Sequence, residues 1–279
     1  TDLRGFRPGL RQDDAGWGAA ARVRRGLAAS GLSEVMTLPM VAAGGETAPK
    51  LLNPLSADHG LLRDTLFPSL VRQVEANWAL QTGDVRLFEV GTVFARGNAG
   101  ERPSEAMHAA FVVTGARQPM HWTDGGKPPL WDRWDARALF ESLLALAHPS
   151  AALQVEEGRW VAREADGTVV GQCGPLAADA PPWAAPLYGG EIRVALETAP
   201  AKVFVPVPAF PAATRDLALL LPLECPVESV TTLLLQRGQR HALTSVAVVD
   251  EYRGASLPAG KRSVAVRLVF RAPDRTLTD

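Results

Sequence analysis

The chain has 279 residues, of which 47% are hydrophobic and 21% charged, so it is long enough for two domains of unequal size with packed cores. Its 29 basic and 30 acidic residues nearly cancel, which excludes a generally basic nucleic-acid or membrane-surface protein and leaves only local charged patches. Cys173 and Cys225 stand far apart without a CxxC partner, which indicates a reducing cytoplasm rather than a disulfide scaffold or a zinc ribbon.

The first predicted elements are a helix and a strand. Residues 14–29 are rich in alanine and arginine, with Asp13 or Asp14 as a possible N-cap and Gly31 as the C′ glycine that ends the helix. The segment "SEVMTL", residues 33–38, predicts the strand that follows.

A second helix is predicted from an apolar stripe that recurs every four residues, after a loop rich in glycine and proline. We expect its N-cap at Asp64 or Thr65. The stripe consists of Leu66, Leu70, Val74 and Trp78.

Residues 85–94 and 108–116 are rich in valine and phenylalanine and predict two central strands. Because the segment between them carries no crossover helix, their sheet should be antiparallel. The other predicted elements of the first domain are a helix at 134–147 and short strands at 153–163, 168–174 and 190–197.

Residues 198–213 are proline-rich without a helical period and predict a linker. A strand, a helix and two strands follow, in the order of a ferredoxin-like split βαβ unit that still lacks its last helix and strand. These elements are predicted at 215–222, 227–238, 243–252 and 261–270. The end, "RAPDRTLTD", is typical of a turn with Thr278 capping a further helix, and the chain begins without methionine, so we expect a fragment of a longer protein.

The last strand has two different faces. Alternation places Val264, Val266, Leu268 and Phe270 on a core face and Ser263, Ala265, Arg267, Val269 and Arg271 on a small, polar and basic face. Basic residues exceed acidic ones in this region, with Arg253, Lys261, Arg262, Arg267, Arg271 and Arg275 against Glu251 and Asp274. RNA could lie on such a face, although an ordinary solvated sheet face fits the charge equally well, and no aromatic pair supports base stacking.

Other catalytic and binding motifs are missing from the sequence. No glycine-rich segment matches a phosphate loop, and no run of 18 apolar residues predicts a membrane span. Five histidines, at 59, 108, 121, 148 and 241, lack metal-ligand spacing, so we expect no metal site.

Several stretches together resemble the C-terminal third of the β subunit of bacterial phenylalanyl-tRNA synthetase. They are "LLNPLSADHGLLRDTLFPSL", "VRLFEVGTVF", "FPAATRDLALLLP" and "VVDEYRGASLPAGKRSVAVRLVF". The resemblance implies an α+β fold, with an antiparallel-sheet, class II synthetase-like domain at 1–200 and a ferredoxin-like anticodon-binding domain at 201–279. The family's second domain continues with a helix and a strand after "RTLTD".

The resemblance also implies that this chain is catalytically inactive. In class II enzymes the strand resembling "GTVF" ends in an arginine that grips the α-phosphate of ATP, and here Ala95 stands in its place. Arg96 comes one residue late and would point to the opposite face of the strand. Residues 165–200 hold no glycine-rich strand-to-helix segment with the arginine of the third class II motif, so ATP and Mg²⁺ are expected at the family's catalytic α subunit and no cofactor in this chain.

The partners implied by the resemblance are the catalytic α subunit, a second αβ pair in a heterotetramer, and phenylalanine tRNA. Residues 14–29 and 33–40 are our expected interface with the α subunit. Family positions near the anticodon correspond to Ala218, Asp250 and Ser263, and Asp250 needs a β-bulge or a position at the strand end to reach the RNA face. By their chemistry alone, Arg267, Arg271, Arg253 and Lys261 are predicted phosphate contacts.

Two other functions remain open from the sequence. The chain could be a self-sufficient class II ligase with a displaced arginine, which Ala95 disfavours. It could also be a structural interaction module that no longer contacts RNA.

Overall fold

The structure is a computed structural model that describes residues 14–98, 100–119, 121–126, 128–196, 203–204, 206–254 and 256–277. The chain divides into two compact units, residues 1–200 and 201–279, and each is described by itself. Of the predicted linker at 198–213 the structure describes residues 203–204 and 206–213, and Thr278 lies outside the described residues.

The first unit is built on a seven-stranded sheet of order β1-β4-β5-β9-β8-β7-β6. Its strands are β1 (Ser33–Glu34), β4 (Val85–Ala95), β5 (Ser104–Thr114), β6 (Ala152–Glu156), β7 (Arg159–Arg163), β8 (Val169–Pro175) and β9 (Tyr188–Arg193). The predicted antiparallel pairing of the central strands is confirmed, since β4 and β5 pair along their full length. At the edge of the sheet, β1 pairs with β4 in parallel.

Helix α1 (Ala15–Ala29) begins and ends at local signals that the sequence shows. The Asp14 carboxylate accepts a hydrogen bond of 2.9 Å from the Trp17 N–H at the N-terminus. Gly31 has a φ of +84°, which glycine adopts without strain, and its N–H donates to the carbonyl of Ala28. The helix prediction is confirmed at both ends.

Helix α2 (Phe67–Ala79) confirms the apolar stripe but not the predicted cap. Leu66, Leu70, Val74 and Trp78 are all buried. The helix begins after Leu66, whose N–H donates to the distant Glu191 carboxylate, while the Thr65 hydroxyl accepts a hydrogen bond of 3.3 Å from the Phe67 N–H. A tertiary contact therefore adds to the local contact of Thr65.

Three strand predictions were too long. The predicted strand 33–38 stops at Glu34, because the chain leaves the sheet and Met40–Val41 (β2) pairs instead with Leu61–Leu62 (β3). The segment 153–163 is a hairpin rather than one strand, since Glu157 and Gly158 both have positive φ and reverse the chain. The strand expected to reach residue 197 ends at Arg193.

The sheet of the first unit carries a core on each face. Helix α1 and helix α3 (Arg133–Ala147) cover one face, where the largest buried residues are Phe88, Phe111, Phe140 and Trp160. Helix α2 covers part of the other face, against residues such as Val85, Val93 and Val112. Asp132 and Asp135 form a capping box at the start of α3.

The second unit has a three-stranded antiparallel sheet of order β10-β12-β11. Its elements are β10 (Ala213–Pro222), α4 (Val227–Gly238), β11 (Leu243–Tyr252) and β12 (Lys261–Phe270). The β-α-β-β order and the central position of the third strand are those of a split βαβ unit. Val264 and Val266 are fully buried on the α4 side of the sheet, so the opposite side is its open face.

Candidate functional site

The predicted RNA-contacting residues of the second unit lie side by side on the open face. Directly opposed residues of an antiparallel pair point to the same face. Ala218 and Asp250 are both opposite Ala265 on the central strand, one on each side of it. Ser263 lies two residues before Ala265, in the next row, so the structure brings the three predicted positions together.

A register shift in β11 makes this arrangement possible. Val248 is opposite Val266 on the α4 side, but Asp250 is opposite Ala265, so Val249 has no partner across the pair. This is the β-bulge that Asp250 was expected to need. Without it, strict alternation would turn the Asp250 carboxylate toward α4.

The same bulge brings a residue to the open face that sequence reasoning missed. Tyr252 is opposite Ser263 and is half-exposed, and its hydroxyl lies 3.2 Å from the Ser256 hydroxyl. Strict alternation assigns Tyr252 to the α4 side, together with Val248. Gly254 fits this position of the ring, since a Cβ there would lie only 2.2 Å from the Tyr252 hydroxyl, but no local pattern in the sequence indicates the face of Tyr252.

The predicted phosphate-contacting side chains differ in their availability. Arg267 donates two hydrogen bonds of 2.8 Å to the Asp216 carboxylate, which faces it across the open face. These hydrogen bonds and the Arg267 charge lower the pKa of Asp216, and Asp216 raises the pKa of Arg267. Arg253 is paired with Glu251, whose pKa it lowers chiefly through a hydrogen bond.

Lys261 and Arg271 flank the central strand at its two ends. Lys261 is exposed at the first position of β12, and Arg271 follows its last residue. The Arg271 N–H donates to the carbonyl of Ala242 at 2.8 Å, while its Nε is buried and has no hydrogen-bond partner among the described residues. That these four cations contact phosphates stays a prediction.

In the first unit, Ala95 stands at the position where class II enzymes have their phosphate-binding arginine, as the sequence predicts. Ala95 ends β4, and the next residue, Arg96, is held by a neighbouring loop. The Arg96 N–H donates to the carbonyl of Thr47 at 2.8 Å and its Nη2 to the carbonyl of Ala48 at 3.2 Å. Arg96 is therefore engaged with the protein itself.

A buried ion pair lies beside this strand on the α2 face, and sequence reasoning did not identify it. The Arg63 Nη1 donates to the carboxylate of Glu89 and to the hydroxyl of Thr37, both at 2.8 Å, and its Nε donates to the carbonyl of Thr92 at 2.9 Å. A Cβ on Gly91 would lie 2.3 Å from the Arg63 Nη2. Glycine in the "GTVF" segment therefore makes room for an internal guanidinium.

A second polar cluster on the same face centres on buried Glu191 of β9. Its carboxylate accepts hydrogen bonds from the Leu66 N–H at 3.1 Å, from the Thr65 hydroxyl, and from His108 at 2.7 Å. An anion at a helix N-terminus is favourable, because it binds a free backbone N–H and the positive end of the helix dipole. Glu191 thus anchors α2 to the sheet.

The charged side chains of these clusters bind one another, so few of them are available to a ligand on the α2 face. A cavity of about 310 Å³ lies between Thr65, His108, Gly171, Glu191 and Arg193. The Glu191 carboxylate is bound by internal donors, and Arg193 is paired with Glu164 at 2.6 Å. The cavity therefore lacks an uncommitted arginine of the kind that would hold a phosphate.

In the part of the chain that the structure describes, no helix is long and apolar enough to cross a membrane. No group of three or more His, Cys, Asp or Glu side chains in the same part is arranged to hold a metal ion.

Known proteins are similar in sequence to this chain over both units. Residues 9–179 match the model of the phenylalanyl tRNA synthetase beta chain CLM domain, and residues 208–279 match that of the ferredoxin-fold anticodon binding domain. The phenylalanine–tRNA ligase beta subunit of Synechococcus sp. (strain JA-2-3B'a(2-13)) is 32% identical over 92% of the chain, and that of Anaeromyxobacter dehalogenans 33% over 94%.

The chain spans about a third of these relatives, 34% of the former and 35% of the latter. A solved pyrrolysyl-tRNA synthetase from Desulfitobacterium hafniense is 14% identical, with a TM-score of 0.47 over 66% of this chain and 68% of that one. Since the first family model matches more than half of the chain, the chain belongs to the phenylalanyl-tRNA synthetase beta chain family, with a ferredoxin-fold anticodon-binding domain as its second unit.

Proposed function

We propose that the chain is the part of a phenylalanine–tRNA ligase β subunit that binds the anticodon region of phenylalanine tRNA and scaffolds the catalytic α subunit. The proposal of RNA binding rests on the bulge in β11, which aligns Ala218 and Asp250 beside Ala265 on an open sheet face. Sequence-specific proteins read single-stranded loops through base edges and stacking, and this face offers groups for both.

Each residue of the open face has a role that fits its chemistry. Ala218 and Ala265 are small, so a base can approach the sheet closely. The Asp250 carboxylate accepts from a base N–H, and the Ser263 hydroxyl both donates and accepts. The half-exposed Tyr252 ring, next to Ser263, gives a surface on which a base stacks.

Phosphate contacts fall to the cations at the margins of this face. Lys261 is exposed and has no carboxylate partner among the described residues. Arg267 and Arg253 are paired with Asp216 and Glu251, so their charges are largely cancelled in the free protein. Their contribution to RNA binding therefore depends on exchanging a carboxylate for a phosphate.

The first unit is proposed to be a class II synthetase-like domain without catalysis. Transition-state stabilisation by a charged donor is typically worth about 3 kcal/mol or more, and Ala95 cannot supply it. Arg96 is bound to the loop at Thr47 and Ala48, and Arg63 is buried with Glu89. ATP and Mg²⁺ are accordingly assigned to the α subunit.

We place the contact with the α subunit at an exposed apolar surface near β2 and β3. Met36, Leu38, Leu52 and Leu55 are largely or fully exposed there, on the segment after β1 and on the loop before β3. Clusters of exposed apolar side chains typically mark protein interfaces. Helix α1 buries its apolar side internally and offers mainly Trp17, so the segment after β1 carries the proposed interface. Two such αβ pairs are proposed to form the heterotetramer.

The test is ATP–pyrophosphate exchange with phenylalanine, combined with tRNA binding. The chain alone should show no exchange, and the α subunit combined with the full β subunit should show it. Introducing Ala95→Arg into the isolated chain should not create activity, since the other groups of the α2 face are committed. Exchange by the unmodified chain alone would instead support the self-sufficient ligase.

Anticodon binding is tested separately in the complete complex. Asp250→Ala and Ser263→Ala should weaken binding of phenylalanine tRNA and reduce its preference over a transcript with a changed anticodon. Unchanged binding in both variants, and in the double variant Arg267→Ala/Arg271→Ala, would favour a structural module that does not contact RNA.

A further inference from the structure

Arg262 is a buried cation of the second unit that does not lie on the open face. It lies in β12 on the α4 side, with 8% of its surface exposed. Its Nη2 donates to the carbonyl of Cys225 at 2.6 Å, and its Nη1 approaches both carboxylate oxygens of Glu251 at 3.3 and 3.4 Å. A buried charge requires such a partner, so Arg262 and Glu251 hold each other in place.

Glu251 is the residue between Asp250 and Tyr252. It lies opposite Val264 and therefore points to the α4 side, where Arg262 binds it. Because side chains alternate along a strand, a Glu251 fixed on the α4 side requires both of its neighbours to point to the open face.

A register of β11 without the bulge would place Asp250 and Tyr252 on the α4 side. If the bulge at Val249 were lost, Asp250 would take the place of Glu251 opposite Val264, and Glu251 would move to the open face. A slip of one residue exchanges every side chain between the two faces of a strand. That register would remove both the carboxylate and the aromatic ring from the RNA, while leaving the rest of the sheet paired.

We propose that the Arg262–Glu251 pair is a positioning device that selects the bulged register of β11 and thereby presents Asp250 and Tyr252 to the anticodon. This inference rests on the proposed function of the open face. Neither residue contacts RNA, and Cys225 completes the device by anchoring the guanidinium to the loop between β10 and α4. Arg253 also binds Glu251, and more closely, but it lies two residues further along the same segment and is mostly exposed, so it does not tie Glu251 to another strand.

The experiment uses the complete complex of the α subunit and the full β subunit. Arg262→Met keeps an unbranched apolar stem but removes the guanidinium, and Glu251→Gln keeps the shape of the carboxylate without its charge. Both should reduce the preference for phenylalanine tRNA over a transcript with a changed anticodon by about tenfold or more, since stacking and base contacts are lost together. Arg262→Lys, which retains the charge but not the two-ended contact, should restore only part of the preference.

Leu243→Ala is the matched control for stability. Leu243 is buried at the opposite end of β11, beside a separate register shift at Thr244, so its truncation weakens the same sheet without touching the bulge at Val249. It should lower the unfolding midpoint while leaving the anticodon preference unchanged. A loss of preference in Leu243→Ala equal to that in Arg262→Met would show that Arg262 acts through stability alone and would overturn the inference.

The register of β11 can also be measured without tRNA, so that variants with weak binding for another reason are recognised. A thiol introduced by Asp250→Cys should react rapidly with maleimide when Arg262 is present and slowly when Arg262→Met is added, as measured by peptide mass spectrometry. Equal reactivity in both backgrounds would overturn the inference.

Different results would contradict the proposed function of the open face and the positioning role of Arg262. If Asp250→Ala leaves the anticodon preference intact, the proposed function of the open face is wrong. If Asp250→Ala abolishes the preference while Arg262→Met and Glu251→Gln keep it, only the positioning role is wrong.

Discussion

The pair of Arg267 and Asp216 allows a prediction in which removing a charge strengthens RNA binding. The two side chains share hydrogen bonds of 2.8 Å, and each is about half-exposed on the open face. Together they carry no net charge, so Arg267 adds little to the attraction of phosphates at a distance. Asp216→Asn leaves one uncompensated positive charge in the same place.

The magnitude follows from counterion release. Each additional phosphate neutralised on a single strand makes the plot of log affinity against log salt steeper by about 0.7. Between about 50 and about 200 mM salt, a fourfold change, the advantage of Asp216→Asn over the unmodified protein should therefore shrink by about 2.6-fold. Arg267→Ala should have the opposite effect, with weaker binding and a shallower salt dependence, because it leaves the Asp216 carboxylate facing the RNA.

The assay is a titration of phenylalanine tRNA with the complete complex at several salt concentrations. Glu141→Gln is the matched control, because it neutralises one partner of an exposed ion pair, with Arg137, on helix α3 of the other unit. If Asp216→Asn and Glu141→Gln have the same salt dependence, Arg267 does not meet a phosphate and that part of the proposed interface is wrong.

Three further predictions address single side chains. Tyr252→Ala should weaken tRNA binding by about 1–3 kcal/mol while Tyr252→Phe retains most of it, because the ring and not the hydroxyl stacks on a base; fluorescence titration measures both. Arg63→Ala should destabilise the first unit by about 3–5 kcal/mol in denaturant unfolding, because it leaves a buried carboxylate unpaired, and a cost near zero would contradict the buried pair. Burial raises the pKa of the Cys173 thiol to about 12, so at pH 8 a maleimide should label the more exposed Cys225 in the native protein and leave Cys173 unmodified until unfolding.

The elements that the sequence predicted well depend on interactions between close neighbours in the chain. Helix α1 needs only Asp14 to bind an N–H three residues away and Gly31 to adopt positive φ. The buried stripe of α2 repeats every turn, so any core that forms against it buries the same residues. Such signals are visible in one sequence because both partners lie within a few residues of each other.

The features that were missed depend on residues far apart in the chain. The Leu66 N–H at the start of α2 donates to Glu191, which is 125 residues away, and nothing near Asp64 or Thr65 indicates that contact. The face on which Tyr252 lies depends on a bulge three residues earlier, and alternation alone gives the opposite answer. A single inserted residue thus changed which side chains belong to the candidate site.

The two units differ in how far their ionic groups are exposed, and this difference is consistent with the proposed division of functions between them. On the α2 face of the first unit, Arg63 is buried against Glu89, and His108 and the N-terminus of α2 bind Glu191. Charges that neutralise one another inside the protein stabilise a shape but cannot also hold a phosphate. On the open face of the second unit, Asp250 is exposed and Tyr252 half-exposed. A net charge of −1 for the whole chain conceals this contrast, because binding depends on which charges remain available and not on their sum.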